Sequence, residues 1–282
     1  MPELPEVETV RKGLEKIASS FHVSNVEVLR DRTIASPGGT KDFVKNMKGQ
    51  VLNTWQRRGK YLISQLKKDD CSESGWLGVH LRMTGYFQFH KTPIKPCPHT
   101  RVRFWSEDGS EIRFVDIRNF GQMWWVPPES NPKLTIKGLQ KLGPEPFSER
   151  FNSLYLYDLF RNKTRSIKAS LLDQSVVAGT GNIYADESLF NAGILPHKES
   201  KDLTKEELER LCKSLKKILK ISIGKGGTTF SDFRDLEGLK GNYGEEASVY
   251  RRTNSPCRTC GAIIKREKLC GRGTHWCPNC QG

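Results

Sequence analysis

Long apolar runs and acidic residues are both scarce in this chain. No stretch of about 18 consecutive apolar residues, the length a helix needs to span a bilayer, occurs in the sequence, so no helical membrane span is expected. The N-terminus lacks the basic start and apolar core of a signal peptide, because Glu3, Glu6 and Glu8 are interleaved with Pro2 and Pro5. A cytoplasmic, reducing compartment is therefore expected. Acidic residues number 32 against 46 lysines and arginines, a net charge of +14 over 282 residues. Such an excess favours a polyanionic partner. No basic helix with an apolar opposite face is evident, so nucleic acid fits better than a membrane surface. The length suits two domains, each able to bury a core.

Eight cysteines are present, and four are arranged in pairs: Cys257 with Cys260, then sixteen intervening residues, then Cys277 with Cys280. Each pair can close on one face of an ion, and the spacing is that of a structural four-thiolate zinc site. Reduced or disulfide-linked pairs in a flexible tail are the competing reading. Cys71, Cys97, Cys212 and Cys270 are scattered.

After Pro5, the spacing of Val7, Val10, Leu14 and Ile17 predicts a helix. From about Val23 to Val126 the pattern changes to short β-rich runs: Val51 to Trp55, Tyr61 to Leu66, Trp76 to Leu81, Tyr86 to Phe89, Thr100 to Trp105, Glu111 to Asp116 and Gln122 to Val126. Many short strands with turn signals between them predict a sandwich or barrel. Pro127, Pro128, Asn131 and Pro132 interrupt the pattern, and Gly143 to Pro146 interrupt it again, so the domain boundary is expected there. Beyond it the chain turns helical. Thr204 and Glu207 form a capping box for a helix to Gly224, with a core stripe of Leu208, Leu211, Leu215, Ile218 and Leu219. Gly224 to Gly244 reads as a long mobile loop.

Three constellations can carry chemistry. Removal of Met1 before the small residue Pro2 leaves a secondary α-amine, and such groups titrate near about 8, far below lysine. A helix beginning near Pro5 would disfavour the protonated form further. Attack of this amine on a sugar carbon would give an iminium, an electron sink that permits elimination. Glu3 and Glu6 are close enough in sequence to act as acid or base. The same residues serve equally well as a plain helix start. Gln56-Arg57-Arg58-Gly59-Lys60-Tyr61 places three cations at a glycine turn, a phosphate-binding hairpin or a solvated one. Between Ile167 and Ile194, an apolar helix is expected to end near Val177. Gly179-Thr180-Gly181 forms a turn, and Asn182 is placed to cap the next helix, a ready anion site. No Lys-Ser/Thr follows the glycines, which argues against a nucleotide P-loop.

Met-Pro-Glu-Leu-Pro-Glu-Val-Glu-Thr-Val at the start resembles formamidopyrimidine-DNA glycosylases. So do residues 57–60, His-Leu-Arg-Met-Thr-Gly at 80–85 and Asp-Ile-Arg-Asn-Phe-Gly at 116–121. Leu172 to Glu187 resembles that family's helix–two-turns–helix element, and the Arg272 segment resembles its zinc finger. The motifs run in family order along the whole chain.

The resemblance implies an α+β protein. An N-terminal antiparallel β-sandwich with flanking helices (1–132) would precede a helical DNA-binding domain (145–248), with a zinc-finger β-hairpin at 249–282. It implies excision of oxidised purines from double-stranded DNA held in a cleft, followed by β,δ-elimination at the abasic site. It assigns Pro2 as nucleophile, Glu3 as proton donor and Glu6 to the pocket floor. Lys60 would serve phosphate binding and β-elimination, and Arg272 phosphate clamping and δ-elimination. His80, His99, Arg118, Lys163, Lys168 and Asn182 would contact DNA. Met83, Arg118 and Phe120 would fill the stack behind an extruded base. Cys257, Cys260, Cys277 and Cys280 would hold one structural Zn2+, and a loop within 226–244 would cap the base. A monomer is expected. The spacing of Lys163 and Lys168 leaves open which one meets phosphate. A sister enzyme preferring oxidised pyrimidines and a non-catalytic damaged-DNA-binding module are the alternatives.

Overall fold

The computed structural model describes every residue except Cys71 and residues 229–240. The chain forms two compact units, Met1–Gln140 with Gly226–Gly241, and Lys141–Lys225 with Asn242–Gly282. The break lies between Gln140 and Lys141, and the second unit includes the cysteine-bearing residues 249–282.

In the first unit, α1 (Leu4–Ala18) starts with a proline in its first turn and buries Val7, Val10 and Leu14. Strands β1 (Phe21–Val23) and β2 (Asn25–Val28) follow, then α2 (Gly39–Met47). That helix was not anticipated; it is short, and only Phe43 and Met47 are buried. Next come β3 (Gln50–Arg58), β4 (Tyr61–Lys67), β5 (Glu73–His80), β6 (Gly85–His90), β7 (Thr100–Trp105), β8 (Glu111–Asp116) and β9 (Gln122–Val126). The last three match the expected bounds. Short helices α3 (Pro132–Thr135) and α4 (Lys137–Gln140) close the unit.

The strands form two antiparallel sheets, ordered β1-β3-β4-β5-β9 and β2-β7-β8-β6. One apolar cluster joins their inner faces: Leu52, Trp55, Leu62, Leu77 and Val79 on one side, Phe87, Val102, Phe104, Ile112 and Phe114 on the other. The expected sandwich is present.

The second unit contains α5 (Ser153–Phe160), α6 (Ile167–Leu172), α7 (Asn182–Ala192), α8 (Lys205–Gly224) and α9 (Tyr243–Glu246), then the hairpin β10 (Lys265–Leu269) and β11 (Arg272–Trp276). The capping box of α8 forms as expected, and its apolar stripe is buried. Helix α8 ends at Gly224 as expected, and Gly226 beyond it has a left-handed φ of 73°.

Two boundaries differ from the sequence reading. Helix α6 stops at Leu172 rather than near Val177, because Asp173 Oδ1 accepts bonds from the Ser175 N–H and hydroxyl at 2.9 and 2.7 Å. Gln174 then binds the Leu172 and Thr180 carbonyls and the Gly179 N–H, holding the two turns together. Helix α7 is N-capped by Gly181, so Asn182 is its first residue and not its cap.

Candidate functional site

The N-terminal segment is buried from Pro2 onward, with Glu3 3% and Glu6 2% exposed. Glu3 caps α1 and forms a capping box with Glu6, whose Oε2 accepts the Glu3 N–H at 2.8 Å. Glu6 Oε1 accepts the Thr228 N–H at 2.7 Å, so the start of α1 is tied to the described beginning of the 226–244 loop. Most of that loop lies outside the described residues.

The β3–β4 turn is Gly59-Lys60, with Lys60 7% exposed. Arg57 is not free to meet phosphate. Its Nε pairs with Glu8 of α1 at 3.0 Å and its Nη1 donates to the Gly59 carbonyl at 3.1 Å. The arginine therefore fastens the Lys60 turn to the helix that begins beside Pro2.

His80 lies opposite Tyr61 in the β4–β5 ladder, with ring centroids 4.5 Å apart. Its Nδ1 accepts the Arg82 N–H at 2.9 Å. Burial, reinforced by the positive charges of Arg82 and Lys60, pushes the imidazole pKa down to about 3. His80 is thus a neutral ring, and any contact it makes with DNA is a hydrogen bond rather than an ion pair.

Met83 sits in the β5–β6 turn; Arg118 and the 41%-exposed Phe120 sit in the β8–β9 turn. Arg118 lies over the Phe120 ring, 5.1 Å from its centroid. Met83, Phe120, Arg32, Arg82, Asn119 and Gln122 border a cavity of about 390 Å³ with Met1 at its edge. Glycines make these turns possible: a Cβ at Gly85 would lie 2.5 Å from the Leu81 carbonyl, and one at Gly121 2.5 Å from the Phe114 ring. His99 is exposed just ahead of β7.

In the second unit, the Asn182 amide donates to the Gly273 carbonyl at 2.9 Å. Arg272 is exposed at the tip of the finger hairpin, where the turn residues Cys270 and Gly271 have φ of 52° and 72°. Asn182, Gly273, Arg251, Arg266, Tyr250 and His275 line a cavity of about 570 Å³ with Thr253. Arg251, Arg266 and Tyr250 were missed from sequence, where isolated cations and a tyrosine carry no spacing signal. Tyr250 is positioned by Glu187, whose carboxylate accepts the N–H groups of Ser248, Val249 and Tyr250 at 2.8 to 2.9 Å. Burial raises the Glu187 pKa despite those bonds.

The structure separates the two candidate lysines. Lys163 is exposed. Lys168 is fully buried, its ammonium 2.6 Å from Asp186 Oδ1, 2.8 Å from Thr274 Oγ1 and 3.2 Å from the Gly273 carbonyl. The ammonium thus donates to the Gly273 carbonyl and the Thr274 hydroxyl and forms an ion pair with Asp186. Lys168 is a buried post between α6, α7 and β11 rather than a surface cation, which corrects the expectation that it meets DNA.

The sulfurs of Cys257, Cys260, Cys277 and Cys280 all lie within 4.8 Å of one another. A tetrahedral zinc with bonds of about 2.3 Å requires sulfurs about 3.8 Å apart. The Cys257–Cys280 and Cys260–Cys277 separations are 3.9 and 3.4 Å. The donor set fits the ion. Cys257 and Cys277 are buried with Val249 and Ile264, against which Phe190 of α7 packs.

Family models match in three places. The formamidopyrimidine-DNA glycosylase N-terminal domain matches residues 1–123, the formamidopyrimidine-DNA glycosylase H2TH domain 142–234, and the zinc finger found in FPG and IleRS 254–282. A formamidopyrimidine-DNA glycosylase of Prochlorococcus marinus (strain MIT 9211) is 64% identical over 285 residues, covering 100% of both chains. One from Parasynechococcus marenigrum (strain WH8102) is 58% identical over 282 residues, again covering 100% of both. A Lactococcus lactis FPG mutant in complex with Fapy-dG-containing DNA is 35% identical, with 99% of each chain covered and a TM-score of 0.89. The Lactococcus lactis Fpg complex with abasic-site DNA is 34% identical at the same coverage and TM-score.

Proposed function

The chain belongs to the formamidopyrimidine-DNA glycosylase family and is a DNA glycosylase of base excision repair; from that premise we propose that it excises oxidised purines from duplex DNA and then cleaves the abasic strand as a lyase, using Pro2 as nucleophile. The substrates would be 8-oxoguanine and formamidopyrimidine lesions. The observation that carries this reading is the Arg57 clamp, which fixes the Lys60 turn to α1 through Glu8 and the Gly59 carbonyl.

Once Met1 is removed, the Pro2 amine stands just before the positive end of α1. Its lone pair attacks the anomeric carbon, the glycosidic electron pair leaves with the base, and the proton lost from the Pro2 nitrogen goes to the departing base. Glu3 protonates the ring oxygen as the sugar opens, giving an iminium. Loss of a C2′ proton then expels the 3′ phosphate, and a second elimination expels the 5′ phosphate. Lys60 serves the first elimination and Arg272 the second. His80, His99, Arg118, Lys163 and Asn182 hold the duplex, while Met83, Arg118 and Phe120 fill the vacated stack. One Zn2+ on the four cysteines would hold the finger carrying Arg272. The protein acts as a monomer in the cytoplasm.

Borohydride trapping tests this. Wild-type protein should give a covalent adduct with an 8-oxoguanine duplex, and Pro2→Gly should give far less. Absence of an adduct with any oxidised or abasic duplex would sink the lyase step. A preference for oxidised pyrimidines is the second reading, favoured by a Lactococcus lactis complex with oxidised-pyrimidine DNA. Faster excision of thymine glycol than of 8-oxoguanine would select it.

A further inference from the structure

The segments carrying Met83, His99, and Arg118 with Phe120 all meet at one buried residue, Asp116, which is 1% exposed at the end of β8. Every polar group of Asp116 is used. Its Oδ1 accepts the Thr84 hydroxyl at 2.5 Å, and its Oδ2 accepts the Gly121 N–H at 2.6 Å. Its N–H donates to the His99 carbonyl at 2.9 Å, and its carbonyl accepts Arg101 Nε–H at 2.8 Å. The connections continue outward. Thr84 Oγ1 accepts the Arg118 N–H at 3.0 Å, and Arg101 Nη1 donates to the Pro98 carbonyl at 3.1 Å.

We propose that Asp116 and Thr84 are positioning residues that hold Met83, His99, Arg118 and Phe120 in one fixed arrangement for base extrusion. The role rests on the wedge assignment of the preceding section. Two features of the turns require such a brace. Arg82, just before Met83, and Asn119, between Arg118 and Phe120, have φ of 55° and 57°. Left-handed backbone at residues other than glycine is disfavoured and persists where surrounding contacts over-determine it. The bonds to Asp116 are also short and charge-assisted, the strong class.

The direction of each proton is fixed. Thr84 Oγ1 takes the Arg118 N–H and so gives its own proton to Asp116, while Gly121 gives a second. A carboxylate accepts both. A carboxamide presents a donor to one of them and leaves a buried proton unmatched.

Single-turnover base excision, with 2-aminopurine fluorescence beside the lesion to follow extrusion, is the test. Thr84→Val keeps the shape and removes the hydroxyl. It should slow excision and extrusion about 10-fold, the cost of a buried hydrogen bond, and slow cleavage of a preformed abasic duplex distinctly less. Thr84→Ser should restore extrusion, which a general loss of packing would not permit. Asp116→Asn is the second variant and should slow extrusion at least as much, with thermal melting confirming that each variant is folded. Wild-type extrusion in folded Thr84→Val and Asp116→Asn, with Met83→Ala slow, would overturn the positioning role alone. Wild-type extrusion in Met83→Ala would remove the wedge assignment and this inference with it.

Discussion

The Gly273 carbonyl accepts the Asn182 side-chain amide at 2.9 Å, and a second proton reaches it from the Lys168 ammonium at 3.2 Å. One backbone oxygen beside Arg272 thus joins the first turn of α7 to the finger hairpin. A neutral residue and a cation proposed to grip phosphate are thereby placed next to each other.

Their removal should read differently. Arg272→Ala should weaken binding to an abasic-analogue duplex and reduce the slope of log Kd against log salt by about 1, the signature of one lost phosphate cation. Asn182→Ala should weaken binding by about 10-fold, a neutral contact, with the slope retained. Anisotropy titrations across salt concentrations measure both. Equal slope changes in the two variants would contradict the assignment.

Lys168 and Lys163 should also separate. Breaking a buried ion pair from one side costs about 3–5 kcal/mol, so Lys168→Met should lower the melting temperature sharply. Lys168→Met combined with Asp186→Leu should recover part of the loss, because no charge is then left buried alone. Lys163→Ala should leave stability unchanged and weaken DNA binding. A Lys168→Met protein as stable as wild type would show that the Asp186 pair contributes nothing.

His80 gives a stability term with a defined sign. Its folded pKa of about 3 lies below the unfolded value of 6.5. Acidification therefore protonates this imidazole in the unfolded chain first. The contribution is fully present above about pH 6.5 and is lost as pH falls towards 3, at up to about 1.4 kcal/mol per unit. His80→Asn retains an acceptor for the Arg82 N–H without this titration, so its stability should fall less between about pH 7 and pH 5. Urea unfolding at several pH values decides it; parallel curves for the two proteins would refute the account.

The finger should depend on its ion. One zinc per chain is expected by metal analysis, and chelation should expose the segment around Cys257 and Cys277 to protease while weakening DNA binding. Cys257→Ser should do the same. Normal DNA binding by a zinc-free protein would give the finger another role.

Much of the fold was legible in the residues because its signals are local. Strand alternation placed β7, β8 and β9 at their observed ends, and Thr204 with Glu207 marked the start of α8. The paired cysteines carried the metal site in their spacing alone. Local signals failed where a single residue outweighed the pattern: the Asp173 side chain ended α6 early, and Gly181 took the cap expected of Asn182.

Sequence by itself determined most of the strands and helices, the sandwich-or-barrel class and the cysteine cluster, since caps, alternation and ligand spacing act within a few residues. Only the tertiary structure decided which charged groups are available to DNA. Arg57 meets Glu8 across 49 residues, Thr84 meets Asp116 across 32, and Lys168 meets Thr274 across 106. A cation looks the same in sequence whether it faces solvent or a buried carboxylate. Burial makes the difference, because a charge withdrawn from water must find its partner in the protein.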